Sequence, residues 1–512
     1  MPSFLRLLAP LLVGAACALP SIVHAAAPGG CTFTPVAKLP LRYSGPSLEI
    51  TTEGSINGKA ARLLVDTGAY QTFVTRTGVE RHGLTLRSTG EVAYGVGGMV
   101  PIYETRISEF VAGPARAGRR DMPVLHHFGY TPSYDAILGS PFLLQLDLEV
   151  SLAAKAMTFF VPKNCGDTYL GYWDESVRDV PFEPHEEAGL NPHFIVHVNG
   201  QKMVAMIDTG AGTSSIWSKA ARRAGIAVGA PGSKRDEDTA GVGGSRLARW
   251  VVALDSFQIG EETVRNAEFA VIESDQEGAD VILGADFLRA HRVLFAMSQK
   301  KLYFSYVGGE PFGQRRALEP WIQAEADGGN ADAQLALANA YLTGKLVPRD
   351  DARADGWLAK AVAGGSPHAL LSSGRALLLH GDVAAGTARL RAALDALPAE
   401  RNGALWLYIA RVRGAQPELA KSELAAAFAR SDRNEWPKPI ADFYLGKLPA
   451  DKLLAQAAAD RVAGGKRRCE ALAAMVEWHR AHAQPEQAKA LNAQRKTACS
   501  ESEQAEQGLA DD

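Results

Sequence analysis

The apolar positions of the chain change rhythm once. Up to about residue 306 they fall in short runs, some alternating with polar residues and some continuous, each bounded by Gly, Pro, Asn or Asp. Beyond Pro311, alanine and leucine recur every three or four positions with short breaks. The first rhythm is that of β-strands, half-buried where it alternates and buried on both faces where it does not. The second is that of amphipathic helices. These rhythms predict an all-β part followed by an all-α part.

Within the first part, residues 47–50 and the run ending at Val65 read as strands joined at Asn57-Gly58, a hairpin turn. Residues 146–150 and 156–161 form a second hairpin around Ala153-Ala154. The same plan returns with strands over 193–198 and 203–207, a turn at Asn199-Gly200, and a closing pair at 293–295 and 301–304. The stretch from Val180 to Pro192, with three prolines, reads as a linker between the two halves.

In the helical part, Gly328-Gly329-Asn330-Ala331-Asp332-Ala333-Gln334-Leu335 is followed 36 residues later by Gly364-Gly365-Ser366-Pro367-His368-Ala369-Leu370-Leu371. A period of that size with paired helices is the mark of a repeat array. The stretch from Ala333 through Tyr341-Leu342-Thr343-Gly344 to Asp350, Ala354, Trp357 and Lys360-Ala361 resembles a Sel1 unit. Trp436-Pro437-Lys438-Pro439-Ile440, Tyr444-Leu445-Gly446-Lys447 and Cys469-Glu470-Ala471 resemble the last repeats of bacterial periplasmic tetratricopeptide proteins. Residues 380–430 carry no pattern that assigns individual units. Such arrays present a concave surface that holds a peptide or partner protein, or act as a stabilising appendage. Residues 501–512, acidic and without a large apolar cluster, are expected to be a disordered tail.

Composition narrows the setting. With 54 basic and 57 acidic residues the net charge is −3, so no excess of positive charge recommends a nucleic-acid partner. The 46% hydrophobic content supports packed cores, and 512 residues predict several domains. Residues 1–25 pair Arg6 with an apolar run and a small-residue exit at Val23-His24-Ala25, the pattern of a secretory signal cleaved after Ala25. Lipidation at Cys17 is the alternative, although Gly14-Ala15-Ala16 lacks the Leu of a lipobox. No other stretch is long and apolar enough to span a membrane, so a periplasmic or secreted protein is expected. The remaining cysteines, Cys31, Cys165, Cys469 and Cys499, are even in number. Pairing neighbours gives Cys31 with Cys165 and Cys469 with Cys499, one of three connectivities, with free buried thiols as the alternative.

The candidate chemistry is written twice. Asp66-Thr67-Gly68 and Asp208-Thr209-Gly210 each end a short apolar run, 61–65 and 203–207, that delivers a carboxylate to a turn. Each is followed by Ala, then by a glycine run (Gly95-Val96-Gly97-Gly98 and Gly241-Val242-Gly243-Gly244), then by Ile-Leu-Gly. Ile137 stands 71 residues after Asp66, and Ile282 stands 74 after Asp208. Two lobes of one design lie in tandem. Two carboxyls brought to about 3 Å cannot both ionise and share a proton. One oxygen then serves as base on a water while the protonated partner polarises a carbonyl, and neither Asp takes a fixed label. Each glycine lets the turn approach its partner closely.

These motifs resemble the aspartic peptidases, and in detail the retropepsin-like branch, over residues 45–306. The resemblance implies an all-β bilobal aspartic-protease fold, with lobes at 30–170 and 175–308 and the helical repeats at 316–500. It implies catalytic Asp66 and Asp208, Thr67 and Thr209 hydroxyls that lock the two turns together, and glycine-run hairpins acting as flaps. The substrate would be a peptide or protein, with no cofactor. His193 and His197 share one strand face without further ligands, so no metal is expected. Ala69 and Ala211 stand where pepsins carry Ser or Thr, which predicts activity nearer neutral pH than in pepsins. The competing expectation is a non-catalytic periplasmic peptide-binding or scaffold protein that keeps the fold.

Overall fold

A computed structural model of the chain describes residues 30–126, 130–184, 191–274, 278–312, 317–431, 435–460 and 463–500. The leader with Cys17 and Ala25, the 501–512 tail and part of the linker lie outside the described residues.

Residues 32–306 are β-rich and contain two sheets with one strand order. In the first, the path runs Arg87–Gly95, Gly98–Ile107, Arg120–Leu125, Phe73–Thr75, Ala136–Leu138, Lys59–Val65, Glu49–Ile56, Phe110–Ala112, Ala115–Ala117. In the second it runs Lys234–Thr239, Leu247–Ala253, Glu268–Ile272, Ser215–Trp217, Val281–Leu283, Gln201–Ile207, Phe194–Val198, Ser256–Ile259, Glu262–Arg265. The two paths correspond strand for strand. The Ile-Leu strands are central in both, parallel to the strand that carries the Asp: Leu138 stands beside Val65 and Leu283 beside Ile207. A strand flanked on both sides and buried on both faces has no place for a polar residue, which is why Ala136–Leu138 and Val281–Leu283 do not alternate.

A third sheet of six strands joins the lobes. Asp147–Ser151 of the first half pairs antiparallel with His291–Ala296 of the second, Glu149 opposite Leu294. Ala156–Lys163 and Lys301–Tyr306 lie outside them, and Thr32–Pro40 and Arg178–Pro181 close the edges. The linker reading over 180–192 is corrected at its start: Val180 and Pro181 sit in an edge strand, Val180 opposite Leu302. Its prolines do not forbid this, because Pro181 ends that strand at the sheet edge, where no ladder donor is required. Cys31 and Cys165 are disulfide-bonded, as are Cys469 and Cys499. Closing loops of 134 and 30 residues restricts the unfolded chain by about 5 and about 4 kcal/mol on a loop-entropy scale.

Residues 320–498 are helical, with eleven helices among the described residues. The recurring Gly-Gly-Asn and Gly-Gly-Ser-Pro stretches are punctuation. Gly329 and Gly365 take positive φ after one helix, and Asn330 and Ser366 cap the next, accepting from Ala333 N and Ala369 N. Helices Val383–Ala396, Arg401–Arg413 and Pro417–Ala427 continue the helical region where the sequence assigned no unit. Their packing relies on small residues rather than on a repeated signature: a Cβ on Gly374 would lie 3.0 Å from Leu390, and one on Gly386 would lie 2.9 Å from Gly374 O.

The helical region is seated on the first lobe. The Arg76 guanidinium pairs with Glu80 and Glu435 and donates to Ser431, and Arg401 reaches Glu80 from the other side. Gly45 N–H donates to Asp332 at 2.7 Å, Asn330 donates to Tyr43 O at 3.0 Å, and Trp321 packs on Tyr43. No described helix is long and apolar enough to cross a membrane.

Candidate active site

Strands Lys59–Val65 and Gln201–Ile207 end with their last residues locked into the sheet, so each following Asp begins a turn at a defined place. Asp66 N–H donates to Leu138 O at 3.1 Å, and Asp208 N–H to Leu283 O at 2.9 Å. The two turns interlock. Thr67 N–H donates to Thr209 Oγ1 at 3.0 Å and Thr209 N–H to Thr67 Oγ1 at 3.1 Å. Each hydroxyl passes its own proton to the other lobe, Thr67 to Ile207 O and Thr209 to Val65 O, both at 2.8 Å. Both threonines are buried, so four polar groups are satisfied by one reciprocal arrangement.

The interlock brings Asp66 and Asp208 into hydrogen-bonding contact with each other. The glycines permit it: a Cβ on Gly68 would lie 2.5 Å from Asp208 Oδ2, and one on Gly210 2.5 Å from Asp66 Cγ. Ala69 N–H donates to Asp66 Oδ1 at 2.9 Å, and Gly210 N–H to Asp208 Oδ1 at 2.8 Å. Asp66 and Asp208 are each half-buried as residues. Burial raises the pKa of each. For Asp66 the charge of Asp208 adds to the rise, and the Ala69 and Gly68 N–H groups oppose it. For Asp208 the N–H groups of Gly210, Gly68 and Ala211 pull downward. Such a pair holds one proton over the range between its two titrations.

The glycine runs form the tips of hairpins Arg87–Gly95/Gly98–Ile107 and Lys234–Thr239/Leu247–Ala253, and the tips meet. Gly97 N–H donates to Val242 O at 2.8 Å, and Ser245 N–H to Gly97 O at 3.0 Å. A Cβ on Gly97 would stand 2.7 Å from Gly243 C, and one on Gly95 2.4 Å from Val242 O, while Gly243 has φ +114 and Gly98 φ +101. A Cβ on Gly241 would stand 3.0 Å from Val96 Cβ, and one on Gly244 would meet open space. The tip valines exchange lobes. Val242 packs against the first-lobe cluster that includes Leu64, Phe73 and Ile137, and Val96 against the second-lobe cluster of Trp217, Ile272, Ala279 and Ile282. Ala69 and Ala211, each three residues past an Asp of the pair, pack against the same two clusters as the tip valines.

Several supporting residues were not found from sequence. Asp135 and Asp280, each just before an Ile-Leu strand, brace the Asp-bearing strands. Asp135 accepts from Arg62 N at 2.8 Å and from Arg81, and Asp280 accepts from Val204 N at 3.1 Å and pairs with Arg223. Their equivalent positions in the two halves were a usable signal. Buried Asp286 accepts from Ser214 N and Oγ, at 2.8 and 2.6 Å. Tyr130 and Tyr134, whose hydroxyls are 3.0 Å apart, carried no signal at all. His193 and His197 are joined by no cluster of ligating side chains among the described residues.

Two matched β lobes meeting at a carboxyl pair beneath facing hairpins define the layout of the aspartyl-protease class. Residues 52–142 match the family model described as "Aspartyl protease", and residues 195–290 match the one described as "gag-polyprotein putative aspartyl protease". The chain therefore carries two retropepsin-like aspartyl-protease domains, each with one Asp-Thr-Gly. No curated protein matches the chain.

Proposed function

We propose that the protein is an exported aspartic endopeptidase, with Asp66 and Asp208 as its catalytic pair and the glycine-run hairpins as flaps. The observation that carries this reading is the hydrogen-bonded carboxyl pair held by the Thr67–Thr209 interlock. In the proposed reaction one carboxylate takes a proton from water as its oxygen attacks the peptide carbonyl carbon. The carboxyl partner gives its proton to the carbonyl oxygen. The tetrahedral adduct then expels the amine, which takes a proton from the pair as the C–N bond breaks while one hydroxyl of the adduct returns its proton to the other carboxylate, so the pair ends with the single proton it began with. The peptide backbone would lie extended between the flaps, adding strand-like hydrogen bonds to them.

Two disulfides in one chain favour an oxidising compartment and support the reading of residues 1–25 as a secretory signal. The helical region is read as a Sel1 or tetratricopeptide-type array that binds a substrate or partner protein, on the strength of the 36-residue spacing. Cleavage of an unstructured protein substrate by the purified full chain, compared with Asp66→Asn and Asp208→Asn, tests the enzyme. Each variant is expected to lose at least a thousandfold in kcat/KM. Equal cleavage by all three would sink the proposal, and peptide binding without turnover would move the protein to the non-catalytic reading.

A further inference from the structure

Glu49 lies on the strand that flanks the Asp66-bearing strand, two residues before the first ladder pair, Thr51 opposite Leu64, and is itself paired with Ser44. Its Oε2 is sealed from solvent without a hydrogen-bond partner among the described residues, although other atoms of the residue keep some surface. Three polar side chains converge there on Gly45. A Cβ on that glycine would lie 2.6 Å from Glu49 Oε2 and 2.5 Å from Ser133 Oγ. Its N–H donates at 2.7 Å to Asp332 Oδ2, the first-turn acid of helix Ala331–Thr343. Asp332 is fixed from its other side by Ser366 Oγ at 2.7 Å.

The groups facing Glu49 come from every neighbouring element. Asp332 comes from the helical region and Arg62 from the strand that carries Asp66. The Tyr130–Tyr134 hydroxyl pair lies in the fields of both Glu49 and Asp66. His368, whose pKa is lowered by burial, faces Asp332 and Arg62. Burial raises Glu49 to about 7; its own backbone hydrogen bond and Arg62 pull down, and Asp332 pushes up. Near neutral pH, one proton therefore decides whether two carboxylates crowd a single glycine in a low-dielectric seam.

We propose that Glu49 is a proton-operated positioning residue that couples the seating of the helical region to the wall of the Asp66 site. Protonated, it fills the seam between Asp332, Ser133 and the tyrosine pair. Ionised, it repels Asp332 from Gly45 and loosens the Tyr130–Tyr134 wall beside Asp66. Only the effect on activity rests on the peptidase reading.

The test is hydrogen exchange of the Gly45 amide in the full chain from pH 4.5 to 8.5, corrected for intrinsic rate. Protection should fall by up to about tenfold per pH unit as the pH rises toward 7 in the parent and level off above it. It should stay flat in Glu49→Gln, which is neutral throughout, and level off at a lower pH in Asp332→Asn, which lacks the charge that pushes Glu49 up. Flat protection in the parent, or an equal fall in Glu49→Gln, overturns the proposal. In the pH dependence of kcat/KM, Glu49→Gln should move the alkaline limb upward by about one unit and leave the acid limb in place; superimposed profiles would break the link to Asp66. Because the Gly45 amide reports whether or not the chain cuts peptides, failure of this coupling and failure of the peptidase reading are separate results.

Discussion

Replacing Thr209 by Val keeps the shape of the side chain and removes one hydroxyl, which makes it a clean probe of the interlock. The hydroxyl accepts from Thr67 N–H at 3.0 Å and donates to Val65 O at 2.8 Å, and the residue is 2% exposed, so water cannot replace it. Two buried backbone groups are left without their partner. At roughly 1–3 kcal/mol for each orphaned group, the local cost is about 2–6 kcal/mol. A multidomain chain need not unfold in one step, so a global free energy would blur this cost. The amide of Thr67 reads it directly, since its exchange requires local opening. A loss of about 3 kcal/mol speeds that exchange roughly a hundredfold. Thr67→Val should act alike on the Thr209 amide, because Thr67 Oγ1 accepts from it at 3.1 Å and donates to Ile207 O at 2.8 Å. Both variants should lower kcat more than they raise KM, because the carboxyl pair would be less tightly held. Less than threefold faster exchange with an unchanged kcat would refute the claim that this interlock holds the pair.

Three further outcomes follow from the same geometry. Both acids of the pair have native pKa values raised by burial, so their contribution to stability is fully present below the ordinary Asp range and lost as pH rises through the native values. Asp208→Asn, which cannot ionise, should therefore melt above the parent at pH 7 and converge with it near pH 4; a lower melting point at pH 7 would contradict the upward shift. Gly243→Ala forces a side chain onto φ +114 and places its Cβ 2.2 Å from Gly97 C, so the hairpin tips must part. Cleavage should drop at least tenfold while the melting point moves little. Glu80→Gln strips the buried Arg76 and Arg401 of a shared anion at a cost of about 3–5 kcal/mol. Protease susceptibility of the helical region should rise, and an unchanged digestion pattern would show that the cluster does not hold it in place.

The β-rich and helical parts were legible in the sequence because each rhythm records which side chains a local segment must bury. The doubled Asp-Thr-Gly, glycine-run and Ile-Leu-Gly patterns were legible for a similar reason: a carboxyl delivered to a tight turn, a hairpin tip and a doubly buried strand each demand particular residues within a few positions. Only the tertiary structure decided what those segments meet. Val180 reads as linker until Leu302 supplies its ladder, and Val96 reads as a turn residue until Trp217 and Ile282 of the other lobe receive it. Glu49 is an ordinary surface-strand acid in sequence, and becomes a partly buried neighbour of Asp332, on the strand flanking the one that carries Asp66, by the docking of a helix 283 residues away. The physical reason is range. Backbone geometry and solvent set local pattern within one turn or strand, whereas desolvation and charge depend on every group folded into contact, whatever its distance along the chain.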